Sequence, residues 1–368
     1  MTEPPEGTGC EQLERVRAMG LSPLQLDLSA QRHSEPARSA AWPPATSLGD
    51  LLRRAEIADD MAALEQMLLA RTASRSQLLA EAGEHTMAAG GKRIRAALVL
   101  LSAHLGEYSF QRASHSAVAV ELLHAASLVH DDLVDNAGQR RGRVTVHARW
   151  DKDVALMLGD YFFALAAYEL ASEPDPRIIR FYTDAAQTIV EGELSPVTQL
   201  EPLDVALAQY FHKIGSKTAA LFEAACKAGI AVAGGDESAI AALGAYGYDL
   251  GLAFQIVDDV LDFTGDEALL GKPAGNDLRE GTLTLPLIYA VAQSHQPLLR
   301  EVARTARPDP AQVPQLVAAV IAAGGTARAM EEARALIGRA VSHLGRFPPS
   351  PARRALAEIG EFVLNRQQ

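Results

Sequence analysis

Two acidic clusters of one design hold the residues best placed to do chemistry: Asp131-Asp132-Leu133-Val134-Asp135 and Asp258-Asp259-Val260-Leu261-Asp262. Each ends an apolar stretch, residues 122–129 and 250–257. Residues four apart share a helix face, so Asp131 points with Asp135 and Asp258 with Asp262. Like charges at that spacing destabilise a helix by roughly 0.2–0.5 kcal/mol per pair when nothing neutralises them. On apolar helices the cost is larger unless each carboxylate is paired or binds metal. A lone cluster on a polar helix reads as a surface ion-pair network. Recurrence on two apolar helices favours two carboxylate walls facing shared hard cations. Magnesium suits them, taking one or two carboxylates and completing its octahedron with phosphate oxygens and water.

The basic residues nearby extend that chemistry. Arg140, Arg141 and Arg143 follow the turn Asn136-Ala137-Gly138, and guanidinium forks match phosphate oxygens. Carboxylate, metal and arginine together form a receptor for a diphosphate. Lys272, on the Gly-rich run 271–277, reaches such an anion as a point charge. A second basic group, Lys92-Arg93-Ile94-Arg95 after Gly90-Gly91, opens a helix. Cations in a first turn oppose the helix dipole by roughly 0.3–1 kcal/mol each. They make sense where an anion docks on the free N–H groups; the plainer reading is a solvated basic turn. His124 lies on the face of Asp131, two turns earlier, and His130 lies beside it. Either is ordinarily a satisfied core histidine. Thr218 and Gln255 are polar groups on apolar stretches. Their oxygens satisfy the backbone or stabilise a developing carbocation.

The elements that must position these groups are helical. The 368 residues have 48% hydrophobic content, with Ala, Leu and Val dominant, which favours helix-on-helix packing. A net charge of −12 argues against a nucleic-acid binder. Cys10 and Cys226 build neither a disulfide framework nor a zinc site, so a reduced, cytoplasmic protein is expected. No secretory signal and no apolar run of about 18 residues is visible; peripheral contact with a bilayer stays open. Residues 1–46, rich in Pro, Glu, Ser and Arg, read as an extended or mobile arm. Ser47 with Asp50 resembles a capping box, and the folded domain is taken as 47–368. Apolar residues recur at helical spacing over 49–72, 76–88, 93–106, 112–134, 152–171, 176–194, 204–232, 236–264, 282–293, 312–322, 326–344 and 351–366. No strand alternation or 20–50-residue repeat appears. The expected fold is a single large all-α bundle in which two Asp-rich helices face one cavity.

With these motifs on the page, the chain resembles the trans-polyprenyl diphosphate synthase family from about residue 49 onward. Residues 90–95, 121–132, Arg140-Arg141-Gly142, Gly159-Asp160, Gly192-Glu193, Lys217-Thr218, 254–262, 271–278 and Thr284-Leu285-Pro286 stand in that family's order. The resemblance implies the isoprenoid synthase bundle, usually a homodimer. It implies Mg-dependent head-to-tail condensation of isopentenyl diphosphate onto an allylic diphosphate. Asp131, Asp135 and Asp258 would ligate a three-magnesium cluster, with Asp132, Asp259 and Asp262 in direct or indirect support. Arg140, Lys217 and Lys272 would hold the allylic diphosphate. Lys92, Arg95, His124 and Arg141 would hold isopentenyl diphosphate, and Thr218 and Gln255 would stabilise the carbocation. Two positions depart from the pattern: Thr282 where many members carry lysine, and Ser195-Pro196 where many carry glutamine, with Gln199 as a stand-in.

In this family the product runs beside the first acidic helix. Residues four and five before Asp131 lie about 6–7.5 Å along it. They are Ser127 and Ala126, small where short-chain members place bulky aromatics. The product is therefore expected to exceed fifteen carbons, within twenty-five to fifty, as for a quinone side-chain precursor. Phe162, with Phe163 and Met157, would form a deeper stop. The alternatives are a C20 geranylgeranyl diphosphate synthase and a class I terpene cyclase. An HD-type phosphohydrolase fits less well, since it leaves the second cluster idle, as does a non-catalytic subunit, since such subunits usually lose the Asp motifs and this chain keeps both.

Overall fold

A computed structural model describes residues 47–140, 142–265, 274–305 and 308–366. The expected arm 1–46, Arg141 and Lys272 lie outside them. The chain opens with α1 (Leu48–Arg54), α2 (Ala58–Arg71), α3 (Gln77–Met87) and α4 (Ile94–Ala103). The first acidic helix, α5 (Phe110–Val134), follows, then β1 (Gln139–Arg140), β2 (Arg143–Val144), α6 (Val146–Arg149), α7 (Lys152–Leu170) and α8 (Pro176–Glu193). α9 (Leu203–Ile214) runs through a π-helical turn (Gly215–Ala219) into α10 (Ala220–Val232), and α11 (Glu237–Thr264) carries the second cluster. Last come α12 (Asn276–Arg279), α13 (Leu285–Gln293), α14 (Pro297–Thr305), α15 (Val313–Ala322), α16 (Gly325–His343) and α17 (Pro351–Asn365).

Local chemistry sets many of these starts. Ser47 accepts from the Asp50 N–H at 3.1 Å, as its capping pattern leads one to expect. Asp151, Asp236 and Ser350 cap α7, α11 and α17 in the same way. Asp175 with Pro176 at the first helical position opens α8.

Packing then arranges the acidic helices. α5 lies along α7, α11 packs against α10 and α16, and α4 packs against α5 and α10. α10 touches both α5 and α11. α11 is long and apolar enough to cross a membrane, yet its most apolar window is 67% buried inside the bundle, as in a core helix.

The structure differs from the periodicity reading in several places. Residues 49–72 are two helices: Glu56 takes φ 61°, which turns the chain so that Ile57 is fully buried. The 204–232 stretch contains the π turn. α6 and α12 are four-residue helices, too short for periodicity to show, whereas α14 lies outside the expected segments although Leu298, Leu299, Val302 and Ala303 recur in it at helical spacing. A two-stranded antiparallel hairpin pairs Arg140 with Arg143, too short for alternation to show.

Candidate active site

The first cluster closes α5. Asp135 is its exposed C-cap, and its N–H bonds the Asp131 carbonyl at 2.8 Å. The Asp131 carboxylate lies 3.3 Å from Lys217 Nζ, which also binds Glu193 at 2.7 Å. Burial pushes the Asp131 pKa up, and Lys217 opposes that. Burial works against the Lys217 charge too, but Asp131 and Glu193 outweigh it and raise its pKa. Asp132 is buried and held by Arg140 Nε at 2.7 Å.

Glycines allow the close approaches this needs. A Cβ on Gly192 would stand 2.3 Å from Ser216 Cβ, so α8 can press on the π turn and present Glu193 to Lys217. A Cβ on Gly159 would stand 2.0 Å from His130 Nε2. His130 instead meets the Leu156 carbonyl at 3.1 Å, the structural role ordinarily expected of it.

The π turn joins the two acidic helices through adjacent residues. Lys217 reaches Asp131, while the Thr218 hydroxyl donates to Gln255 Oε1 at 2.7 Å. Gln255 Nε2 then donates to Asp259 Oδ1 at 3.0 Å, and the Tyr210 hydroxyl donates to Asp259 Oδ2 at 2.6 Å. A π insertion rotates the residues within it relative to a regular helix and is frequent at functional sites.

The second cluster has other partners. Asp258 pairs with Arg366 at 2.8 Å, and the Arg366 side chain is only 4% exposed. That guanidinium also bonds the Phe254 carbonyl and lies 3.7 Å from the Phe254 ring centre. Burial lowers the Arg366 pKa, against the pull of Asp258. Asp259 is buried with each oxygen accepting from protein, and burial pushes its pKa up to about 7. Asp262 accepts from the backbone N–H groups of Asn276 and Asp277 at 3.1 and 3.2 Å. Asp259 and Asp262 thus accept from the protein's own donors.

Carboxylate oxygens are hard donors that fit magnesium. Among the described residues no three His, Cys, Asp or Glu converge on one ion position. Ions here would rely on diphosphate oxygens for much of their shell, which is how magnesium is ordinarily held.

The basic helix start is partly used up. Arg93 takes φ 45° and binds Glu65 at 2.9 Å and Glu121 at 3.6 Å. Buried Glu121 also accepts the Ala96 N–H at 3.0 Å. An internal carboxylate thus takes one of the N–H donors at this helix start. Lys92 lies 5.4 Å over Phe362, and Arg95 lies 4.8 Å over Phe222. Phe222 in turn stands 5.3 Å from Phe254, which brings Arg95 and Arg366 to one aromatic pair. His124 is half-buried on α5.

Ala126 is fully buried, and Ser127, half-buried, bonds the His124 carbonyl at 2.9 Å. Phe162 is fully buried, with a ring atom 3.7 Å from a Cβ built on Gly83 of α3. Met157 is 50% exposed, so it makes no stop within this chain. Sequence reasoning gave no role to Glu193, Tyr210, Glu121 or Arg366. Glu193 stood in a recognised motif, and Tyr210 was a polar tip on an apolar helix; nothing in the pattern marked Arg366.

Comparison with known proteins follows the same line. The polyprenyl synthetase family model matches residues 76–320. Heptaprenyl diphosphate synthase component 2 of Geobacillus stearothermophilus is 39% identical over 311 residues, covering 83% of this chain and 96% of that protein. A short chain isoprenyl diphosphate synthase of Methanothermobacter thermautotrophicus is 37% identical, covering 79% of this chain and 91% of that one. The crystal structure of polyprenyl synthase from Caulobacter crescentus CB15, complexed with calcium and isoprenyl diphosphate, superposes with a TM-score of 0.81 at 33% identity, covering 89% of this chain and 100% of that chain.

Proposed function

As a member of the polyprenyl synthetase family, the chain is a prenyltransferase, and we propose how its residues divide the work. It builds all-trans polyprenyl diphosphates longer than fifteen carbons, joining isopentenyl diphosphate head to tail onto an allylic diphosphate. The observation that carries this is the π turn, whose adjacent residues Lys217 and Thr218 serve the two acidic helices at once.

Lys217 and Arg140, with Lys272 by resemblance, grip the allylic diphosphate as its C–O bond breaks. Asp131, Asp135 and Asp258 hold magnesium, with three ions proposed. Bound magnesium neutralises the charge that develops on the leaving diphosphate. Thr218 and Gln255 turn oxygen lone pairs toward the allylic cation. Lys92, Arg95, His124 and Arg141 hold isopentenyl diphosphate so that its double bond attacks that cation. The released diphosphate then takes the proton lost from the new chain. The apolar helices exclude water, which would otherwise trap the cation.

Ala126 and Ser127 leave the path along α5 open, with Phe162 as the proposed deeper boundary, and a product of C25–C50 is proposed. A C20 product is the second reading, because a short-chain relative is 37% identical. The enzyme is proposed to be a cytoplasmic homodimer. Leu156, Met157 and Tyr168 on α7 and Val190 on α8 are exposed, apolar surface that a second copy would cover. A monomer active only with an added second protein, as the name "component 2" of the Geobacillus relative invites, would overturn the homodimer.

The function is tested by incubating the protein with magnesium, isopentenyl diphosphate and allylic diphosphates of several lengths. Products beyond fifteen carbons with release of diphosphate are expected. Release of orthophosphate, or cyclisation without isopentenyl diphosphate, would overturn it.

A further inference from the structure

We propose that Tyr210 is a positioning residue for the condensation: acting through Asp259, it fixes the Gln255 amide so that the carbonyl oxygen, not the NH2 group, meets the developing carbocation. The inference rests on the reaction proposed above.

A glutamine amide has two nearly isosteric orientations that exchange an acceptor for two donors. Its partners decide between them. An oxygen presented to a carbocation stabilises it, whereas N–H groups repel it. The amide orientation therefore sets the sign of the dipole that the cation meets, and electrostatic preorganisation of this kind is a large term in catalysis.

The structure supplies partners for one orientation. Asp259 Oδ1 accepts from Gln255 Nε2 at 3.0 Å, and its other oxygen is taken by a second donor. That turns Oε1 the other way, to the Thr218 hydroxyl at 2.7 Å. Asp259 needs an anchor of its own, because its carboxylate can rotate about the terminal torsion. The Tyr210 hydroxyl provides one on the second oxygen, at 2.6 Å. Tyr210 is 1% exposed, and its ring stands edge-on to Phe211 with centres 5.5 Å apart. Orientation thus passes from the packed core through Tyr210, Asp259 and Gln255 to Thr218. Lys217, next to Thr218, grips Asp131, so the fixed amide lies beside the leaving-group clamp.

The test is Tyr210→Phe, which keeps the ring and deletes the hydroxyl. Loss of an orienting group behind a functional one costs about 10–100-fold. We expect kcat to fall by that order while KM for both substrates holds. Magnesium affinity, titrated calorimetrically with inorganic diphosphate, should also hold. A larger share of allylic substrate should be lost to water as the alcohol. Gln255→Ala should fall similarly, and the double variant should be no worse than Gln255→Ala, since both act through one amide. Asp259→Asn, whose amide can turn an N–H donor toward Gln255, repeats the test where Tyr210→Phe melts early. Unchanged kcat in Tyr210→Phe, additive losses, or weakened magnesium binding would overturn the proposal. Wild type that makes no condensation product would instead overturn the reaction itself.

Discussion

The two acidic clusters share a spacing and differ in almost everything else. In the first, Asp131 and Asp132 lean on the cations Lys217 and Arg140, and Asp135 stands exposed. In the second, Asp258 pairs with the buried side chain of Arg366. Asp259 turns inward to Tyr210 and Gln255, and Asp262 holds the backbone at residues 276 and 277. The difference teaches that identical motifs are not identical sites. A carboxylate's task is set by the donors its helix packs against. Two carboxylates of the first cluster meet side-chain cations, and two of the second accept from uncharged donors of the protein.

That contrast can be broken by substitution. The largest effect is expected from Asp131→Ala or Asp258→Ala, each lowering kcat by about 10³-fold or more and demanding more magnesium, measured by steady-state kinetics across a metal titration. Lys217→Ala should cost about 10²–10³-fold in kcat, because it removes one charge from the leaving-group clamp; a loss confined to KM would contradict that role. Arg366→Ala removes the cation resting on Asp258. Metal half-saturation should then move to lower magnesium by several-fold, and a shift to higher magnesium would show Arg366 to be a helper, not a competitor. Asp262→Ala should destabilise the fold by about 1 kcal/mol through lost backbone capping, read as a lower thermal midpoint with metal affinity kept.

The smallest effect concerns pH. Burial raises the Asp259 pKa to about 7 in the folded protein, above its unfolded value near 3.9. The folded state therefore binds more protons than the unfolded state between those values, and stability falls as pH rises through that window. Denaturant melts of metal-free protein should show that slope, and Asp259→Asn should flatten it.

Much of this was legible in the amino-acid order. Apolar periodicity marked both acidic helices, and Ser47 marked the start of the first described helix. Lys217 and Thr218 were recognisable by motif. What periodicity could not show was orientation. A π turn inside 204–232 looks like any helix in sequence, yet it lets adjacent residues serve two helices. Asp258 and Asp259 are equal on paper and part ways only once Tyr210 packs beneath one of them. Arg93 reads like its basic neighbours until Glu65 and Glu121 fold against it. Arg366 lies far in sequence from Asp258, so only tertiary packing brings it there.

The most direct test of the unequal clusters is calorimetric. Magnesium is titrated into Asp131→Ala, Asp258→Ala, Asp259→Asn and Asp262→Ala, each in the presence of inorganic diphosphate. The first two variants should lose bound metal, while the last two should keep the wild-type stoichiometry and affinity. Equal loss across all four would contradict the division of labour and make every carboxylate a ligand.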